Sequence, residues 1–176
     1  SFDVYRLFVG ARPSRVASFG RRAIFTEDNA ALATREYRDG RKAYGEWSGR
    51  WAGETQVFDS DADVNDVQVA IVDYENGTTL AFHANSCTGF HQRRWHIAGT
   101  EASLAVDLYK GRIVIGDPIG RGRAEKLDFA GETSFDAHEA ADPAMARDIA
   151  ANLFDGRAFP VTAYDALVAG LTVMAI

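Results

Sequence analysis

Val67, Val69 and Ile71 alternate with Gln68, Ala70 and Val72, and Asn76-Gly77 then interrupts the run before a second alternating stretch begins at Thr78. This feature most restricts the fold. Alternation of period two demands a strand, and Asn-Gly between two such runs demands a hairpin. A type I′ turn with Glu75 opposite Thr78 would set Asp73 against Leu80 and Ile71 against Phe82. Val67, Val69, Ile71, Leu80 and Phe82 would then form an apolar face suited to packing under helices. Gln68, Val72, Tyr74, Thr79, Ala81 and His83 would share the other, mixed face. A slip of one residue would exchange the two faces.

Further strands are expected at about 93–98, 103–108 and 112–115, with a weaker one at 124–129. After them the period changes from 2 to 3.6. Asp142 is expected to cap a helix with Pro143 at its first position. Met145, Ile149 and Leu153 then fall at i, i+4 and i+8 before Gly156 ends it. Thr162 and Asp165 form a capping box for a last helix, with Asp in place of the usual Glu or Gln. At the other end, residues 2–9 read as a helix closed by Gly10 with Pro13 beyond it. A strand is expected over 14–25. Residues 26–60 are polar and mixed, with a short helix at 28–37 and Tyr37, Tyr44, Trp47 and Trp51 set among charges and glycines. The expected fold class is α+β: a mostly antiparallel open sheet covered on one face by helices.

The 176 residues suit one domain, 1–176, with 47% apolar and 25% charged side chains. A net charge of −6 argues against nucleic acid as a partner. No run approaches the length of a membrane span. The single cysteine, Cys87, cannot form an internal disulfide, which makes the cytoplasm the expected compartment. The chain lacks an initiator Met, and both ends carry apolar helical patterns, so it reads as a piece of a longer protein.

Several constellations fail on inspection. Asp59, Asp61, Asp63 and Asn65 mimic a calcium loop, but Val64 replaces its Gly and Ala70 its bidentate Glu. Gly120-Arg-Gly122 lacks a third Gly and a following helix, so a Gly-rich hairpin is the better reading than a phosphate loop. His91 and His96 are five apart, which on a strand sends them to opposite faces; His83 and His91 remain possible neighbours, and His138-Glu139 lacks a second His. No metal site is expected. There is no Gly-x-Ser-x-Gly, and no helix N-terminus lies close enough in sequence to activate Cys87. The 37–51 aromatics suit either a sugar-stacking lid or simple anchors for a long loop. Trp95 suits the core or an interface.

The order of segments resembles the second domain of the glucose-fructose oxidoreductase, inositol dehydrogenase and MocA family along nearly the whole chain. Ser1 to Gly10 followed by Arg15-Val16 is similar to that family's His-x-x-Asp helix and first strand. Asp66 to Phe82 resembles its long hairpin. Asn85-Ser86 and Gly89-Phe-His-Gln-Arg93 resemble its Asn-Ser and Gly-Tyr-Asp-Gln-Arg pattern. Ile97-Ala-Gly-Thr100 with Ser103-Leu104, Phe154-Asp-Gly-Arg157, Pro160 and Asp165-Ala-Leu167 complete the series.

The resemblance implies a dihydrodipicolinate-reductase-like C-terminal domain of an NAD- or NADP-dependent dehydrogenase of sugars or polyols, with its Rossmann domain absent. The family's catalytic His would stand just before Ser1 and its catalytic Lys in the missing domain. The chain would therefore hold no catalytic residue, bind no cofactor itself and be inert alone. In the parent, a carbinol C–H would give hydride to nicotinamide while a base takes the hydroxyl proton. Asp3 carries over as a substrate-hydroxyl acceptor, and Phe90, His91, Gln92 and Arg93 as a loop beside the sugar. His91 replaces a frequent Asp, so the identity of the polyol does not transfer. The uncovered sheet face, with Val72, Tyr74 and Ala81, would make subunit contacts in a homo-oligomer. The rival expectation is a non-enzymatic sheet module for dimerisation or carbohydrate binding.

Overall fold

The computed structural model describes residues 2–44, 57–90, 92–129 and 137–176. These residues divide into two compact units, 1–88 with 162–176, and 89–161. The class is α+β with antiparallel strands throughout, and the strands are shared between two sheets.

The first unit holds α1 (Phe2–Val9), β1 (Pro13–Arg21), β2 (Val67–Tyr74), β3 (Thr79–Asn85) and α3 (Ala163–Ala175). Its sheet has the order β1-β2-β3. Gly10, at φ 65°, closes α1 by returning its N–H to the Arg6 carbonyl at 3.0 Å. The capping box on α3 forms as its residues require. The Asp165 N–H donates to the Thr162 hydroxyl at 3.2 Å, and the Thr162 N–H donates to the Asp165 carboxylate at 3.1 Å. That carboxylate also pairs with Arg6 at 3.1 Å, which joins α1 to α3.

The hairpin register departs from expectation by one residue. Asp73 faces Thr79, Val72 faces Leu80 and Ala70 faces Phe82. The cause lies in the turn. Among the described residues no non-glycine has positive φ, so Asn76 does not adopt the type I′ conformation; Gly77 alone is left-handed, at φ 83°. The Tyr74 N–H donates to the Thr78 carbonyl and the Gly77 N–H to the Tyr74 carbonyl, at 2.9 and 3.0 Å. This is the longer turn in which a glycine follows a type I bend. Asn76 has other work. Its amide donates to the Val9 carbonyl at 3.0 Å, and its side-chain oxygen accepts the Thr78 N–H at 3.1 Å.

The slip exchanges the two faces of β2 and leaves those of β3 as expected. Val72 is fully buried and Tyr74 is 5% exposed, and they pack with Ala169 of α3 and with Tyr5, Val16, Leu80 and Phe82. The expected core residues Val69 and Ile71 are 44% and 55% exposed. They share the open face with Phe19, which pairs with Val69, and with Ala17 and Ala81, which flank Ile71. Of the residues expected on the mixed face, Thr79, Ala81 and His83 of β3 are there, whereas Gln68, Val72 and Tyr74 of β2 lie on the opposite one.

The expected strand 14–25 stops at Arg21, and the expected helix 28–37 is a 3₁₀ helix, Glu27–Thr34. The first change follows from Asp66. Its buried carboxylate accepts the N–H groups of Ala23, Ile24 and Phe25 at 2.7–2.8 Å, which bends the chain off β1. Beside it the Arg22 guanidinium donates to the carbonyls of Ser60 and Ala62 at 2.9 and 2.7 Å and to that of Phe25. Phe25, Tyr44 and Phe58 stack edge to face or tilted at 5.6–6.3 Å over this junction.

The second unit is a meander of β4 (Arg94–Ala98), β5 (Ser103–Asp107), β6 (Arg112–Gly116) and β7 (Glu125–Asp128), followed by α2 (Ala137–Asp155). One row across the four strands reads Arg94, Asp107, Arg112, Asp128. Its outer pairs close at 2.9 and 3.6 Å. The next row, on the other face, reads Trp95, Val106, Ile113, Leu127. The helix α2 begins five residues earlier than Asp142, so Pro143 lies inside it rather than opening it. The segment Ala137 to Ala141 is rich in alanine and continues the helix upstream. Gly156, at φ 67°, ends it as expected.

Candidate functional site

The loop expected beside a substrate leads into β4. Phe90 is 72% exposed, Gln92 and Arg93 are exposed, and His91 lies outside the described residues. The Arg93 carbonyl accepts the Leu108 N–H at 3.0 Å, which extends the pairing of β4 with β5 by one residue and fixes the loop's exit. Arg94 is committed to Asp107, whose carboxyl is raised by burial but held below its usual range by that guanidinium and by the Lys110 N–H. The loop's entry is anchored by the Asn85 side chain, which accepts the Cys87 N–H at 2.8 Å, and by the Ser86 N–H on the Asp66 carbonyl at 2.8 Å. Asp3 lies on α1 in the first unit; its side chain, like those of 137–142, is outside the description.

Asp66 is the buried acid of the first unit. Burial raises its carboxyl, but the three backbone N–H donors from Ala23, Phe25 and Ile24 outweigh this and hold it below the usual carboxylate range. Its backbone carbonyl holds Ser86, and its side chain is buried. Cys87 has its Sγ 3.4 Å from the Tyr44 hydroxyl, and that contact, with burial, raises the Tyr44 phenol.

The Gly120–Gly122 hairpin cannot cradle a phosphate or a dinucleotide, for a reason the sequence alone does not give. The Asp117 carboxylate accepts the N–H groups of Ile119 and Arg121 at 3.0 and 3.2 Å and that of Gly122 as well. The donors an anion would need are filled from within, and these bonds lower the Asp117 carboxyl. A Cβ on Gly122 would stand 2.6 Å from that carboxylate. Among the described residues no group of three or more His, Cys, Asp or Glu is placed to hold a metal ion. Nor is any helix among them long and apolar enough to cross a membrane.

One feature escaped sequence reasoning: a groove of about 570 Å³ between the start of β1 and α3, with the Arg12 guanidinium over the Tyr164 ring at 5.4 Å. These residues are 152 positions apart, and no local pattern links them.

No protein-family model and no curated protein sequence matches the chain. Solved structures do. UDP-N-acetylglucosamine 3-dehydrogenase GnnA from Acidithiobacillus ferrooxidans is similar at a TM-score of 0.65 and 16% identity, over 99% of this chain and 42% of that one. An oxidoreductase domain protein from Kribbella flavida matches at 0.64 and 14%, over 99% and 46%. A proposed NADPH-dependent oxidoreductase from Desulfitobacterium hafniense matches at 0.59 and 14%, over 99% and 41%. The chain thus spans less than half of each protein it resembles. At these identities the likeness is one of fold.

Proposed function

We propose that this chain is the substrate-binding and self-association domain of an NAD- or NADP-dependent oxidoreductase of the glucose-fructose oxidoreductase, inositol dehydrogenase and MocA type, acting on a sugar or polyol. The supporting observation is the fold match over 99% of the chain to proteins named as dehydrogenase or oxidoreductase. The share of those proteins left unmatched is where a nucleotide-binding half would lie. The one glycine hairpin that suggested a phosphate cradle is filled by Asp117, in keeping with a cofactor held elsewhere.

In this reading Asp3 accepts substrate hydroxyls. The resemblance makes Phe90, His91, Gln92 and Arg93 further substrate contacts, with the Gln92 amide and the Arg93 guanidinium as donors to hydroxyls. A site built of such groups rejects analogues that lack a hydroxyl, because its polar groups are then left unpaired. Self-association would use the open face of the first sheet, through Phe19, Val69 and Ile71. That exposed face equally suits the rival reading, a sheet module that dimerises without redox chemistry.

The test is titration of NADH and NADPH fluorescence with the gene product extended to its natural start, beside the 176-residue chain. Binding by the longer protein alone, followed by oxidation of a polyol, is the expected result. In that protein Asp3→Asn and Arg93→Ala should each lower kcat/KM by about tenfold or more. Absence of nucleotide binding by either chain would leave the module reading in its place.

A further inference from the structure

We propose that the groove between β1 and α3 binds a single-chain carboxylate, with its head on Arg12 and its tail along α3. The inference does not depend on the redox reading, since every residue it uses lies in the first unit.

The polar groups lining the groove are almost all committed. The Ser14 hydroxyl donates to the Asp73 carbonyl at 3.1 Å, and the Thr172 hydroxyl donates to the Val168 carbonyl at 2.8 Å. The Arg15 guanidinium is held on the Asp73 carboxylate at 2.6 Å. A sugar would find few partners here for its hydroxyls. What remains is an apolar wall of Leu167, Val168, Leu171 and Ala175, with Arg12 and Tyr164 at its end.

The Arg12 guanidinium lies over the Tyr164 ring, 5.4 Å from the centroid, and among the described residues no carboxylate pairs with it. A cation–π contact of this kind consumes none of the guanidinium's N–H donors, which can then make a two-pronged contact with a carboxylate. The groove's volume of about 570 Å³ falls in the ordinary range for small-molecule sites. From Tyr164 to Ala175 the helix rises about 16 Å, which accommodates an extended tail of roughly ten to twelve carbons. Charge at one end and apolar surface along the rest describe a fatty carboxylate.

The test is calorimetric titration of the 176-residue chain with decanoate below its micelle concentration, beside the uncharged decanamide. Saturable one-to-one binding of decanoate is expected, with decanamide about tenfold weaker. Arg12→Ala should weaken decanoate about tenfold and leave decanamide within twofold, whereas Arg12→Lys should lose less. Leu171→Asp, at an exposed position that the fold tolerates, should abolish both, and circular dichroism checks that each variant is folded. No saturable binding, equal affinity for the two probes, or equal losses for both in Arg12→Ala would overturn the proposal. So would sedimentation showing that a second copy fills the groove and that decanoate does not displace it.

Discussion

Asp66 ties the end of β1 to the start of β2. It is a buried carboxylate satisfied by three consecutive backbone N–H groups, and its position turns the chain from β1 into the excursion that follows. Its carboxyl is held low in the folded chain, so the unfolded chain binds the proton more readily. Stability from this group is therefore complete above the unfolded value of about 4 and is lost as the pH falls through the lower folded value. Asp66→Asn replaces one acceptor oxygen by a donor facing N–H groups. It should cost about 2–4 kcal/mol at pH 7. It should also flatten the loss of stability on acidification, as read from urea midpoints between pH 7 and pH 3. An unchanged acid limb would assign the acid sensitivity to other carboxylates.

Among the elements, the β2-β3 hairpin makes the sharpest commitment. Val72 and Ile71 are neighbours of similar character, yet one is fully buried and the other 55% exposed. Val72→Ala should cost about 2 kcal/mol, while Ile71→Ala should cost well under 1. The reverse order in denaturant midpoints would restore the type I′ register. Gly77→Ala forces a Cβ into φ 83° and should cost about 1–2 kcal/mol by the same measurement. Three helix ends were legible, though not the start of α2, because Gly10, Gly156 and the Thr162–Asp165 box act on bonds within a few residues of themselves. The meander β4–β7 was legible for the same reason. The hairpin face was not, because both alternate sets in 67–74 are apolar, and the choice fell to Asn76 spending its side chain on Val9. Nor was the turn at residues 22–25, which Arg22 and Asp66 fix through bonds spanning about forty residues. Of the expected site, the sequence gives the order of residues 90–93 and the strand they enter, but not which neighbours are already committed. Asp117 filling its own hairpin is the clearest instance.

For the whole molecule, the open face of the first sheet bears on association. Phe19 is 78% exposed beside Val69 and Ile71, on a chain with a net charge of −6. Phe19→Lys should shift any self-association toward monomer in sedimentation while leaving the thermal midpoint nearly unchanged, since the side chain packs against little in the isolated chain. Two copies meeting through this face would each carry that net charge of −6. Each therefore repels the other over a distance set by the surrounding ions, about 10 Å at 0.1 M and about 3 Å at 1 M. Added salt shortens that reach and leaves the apolar contact intact. Such an assembly would tighten as ionic strength rises, whereas one held by opposite charges would loosen.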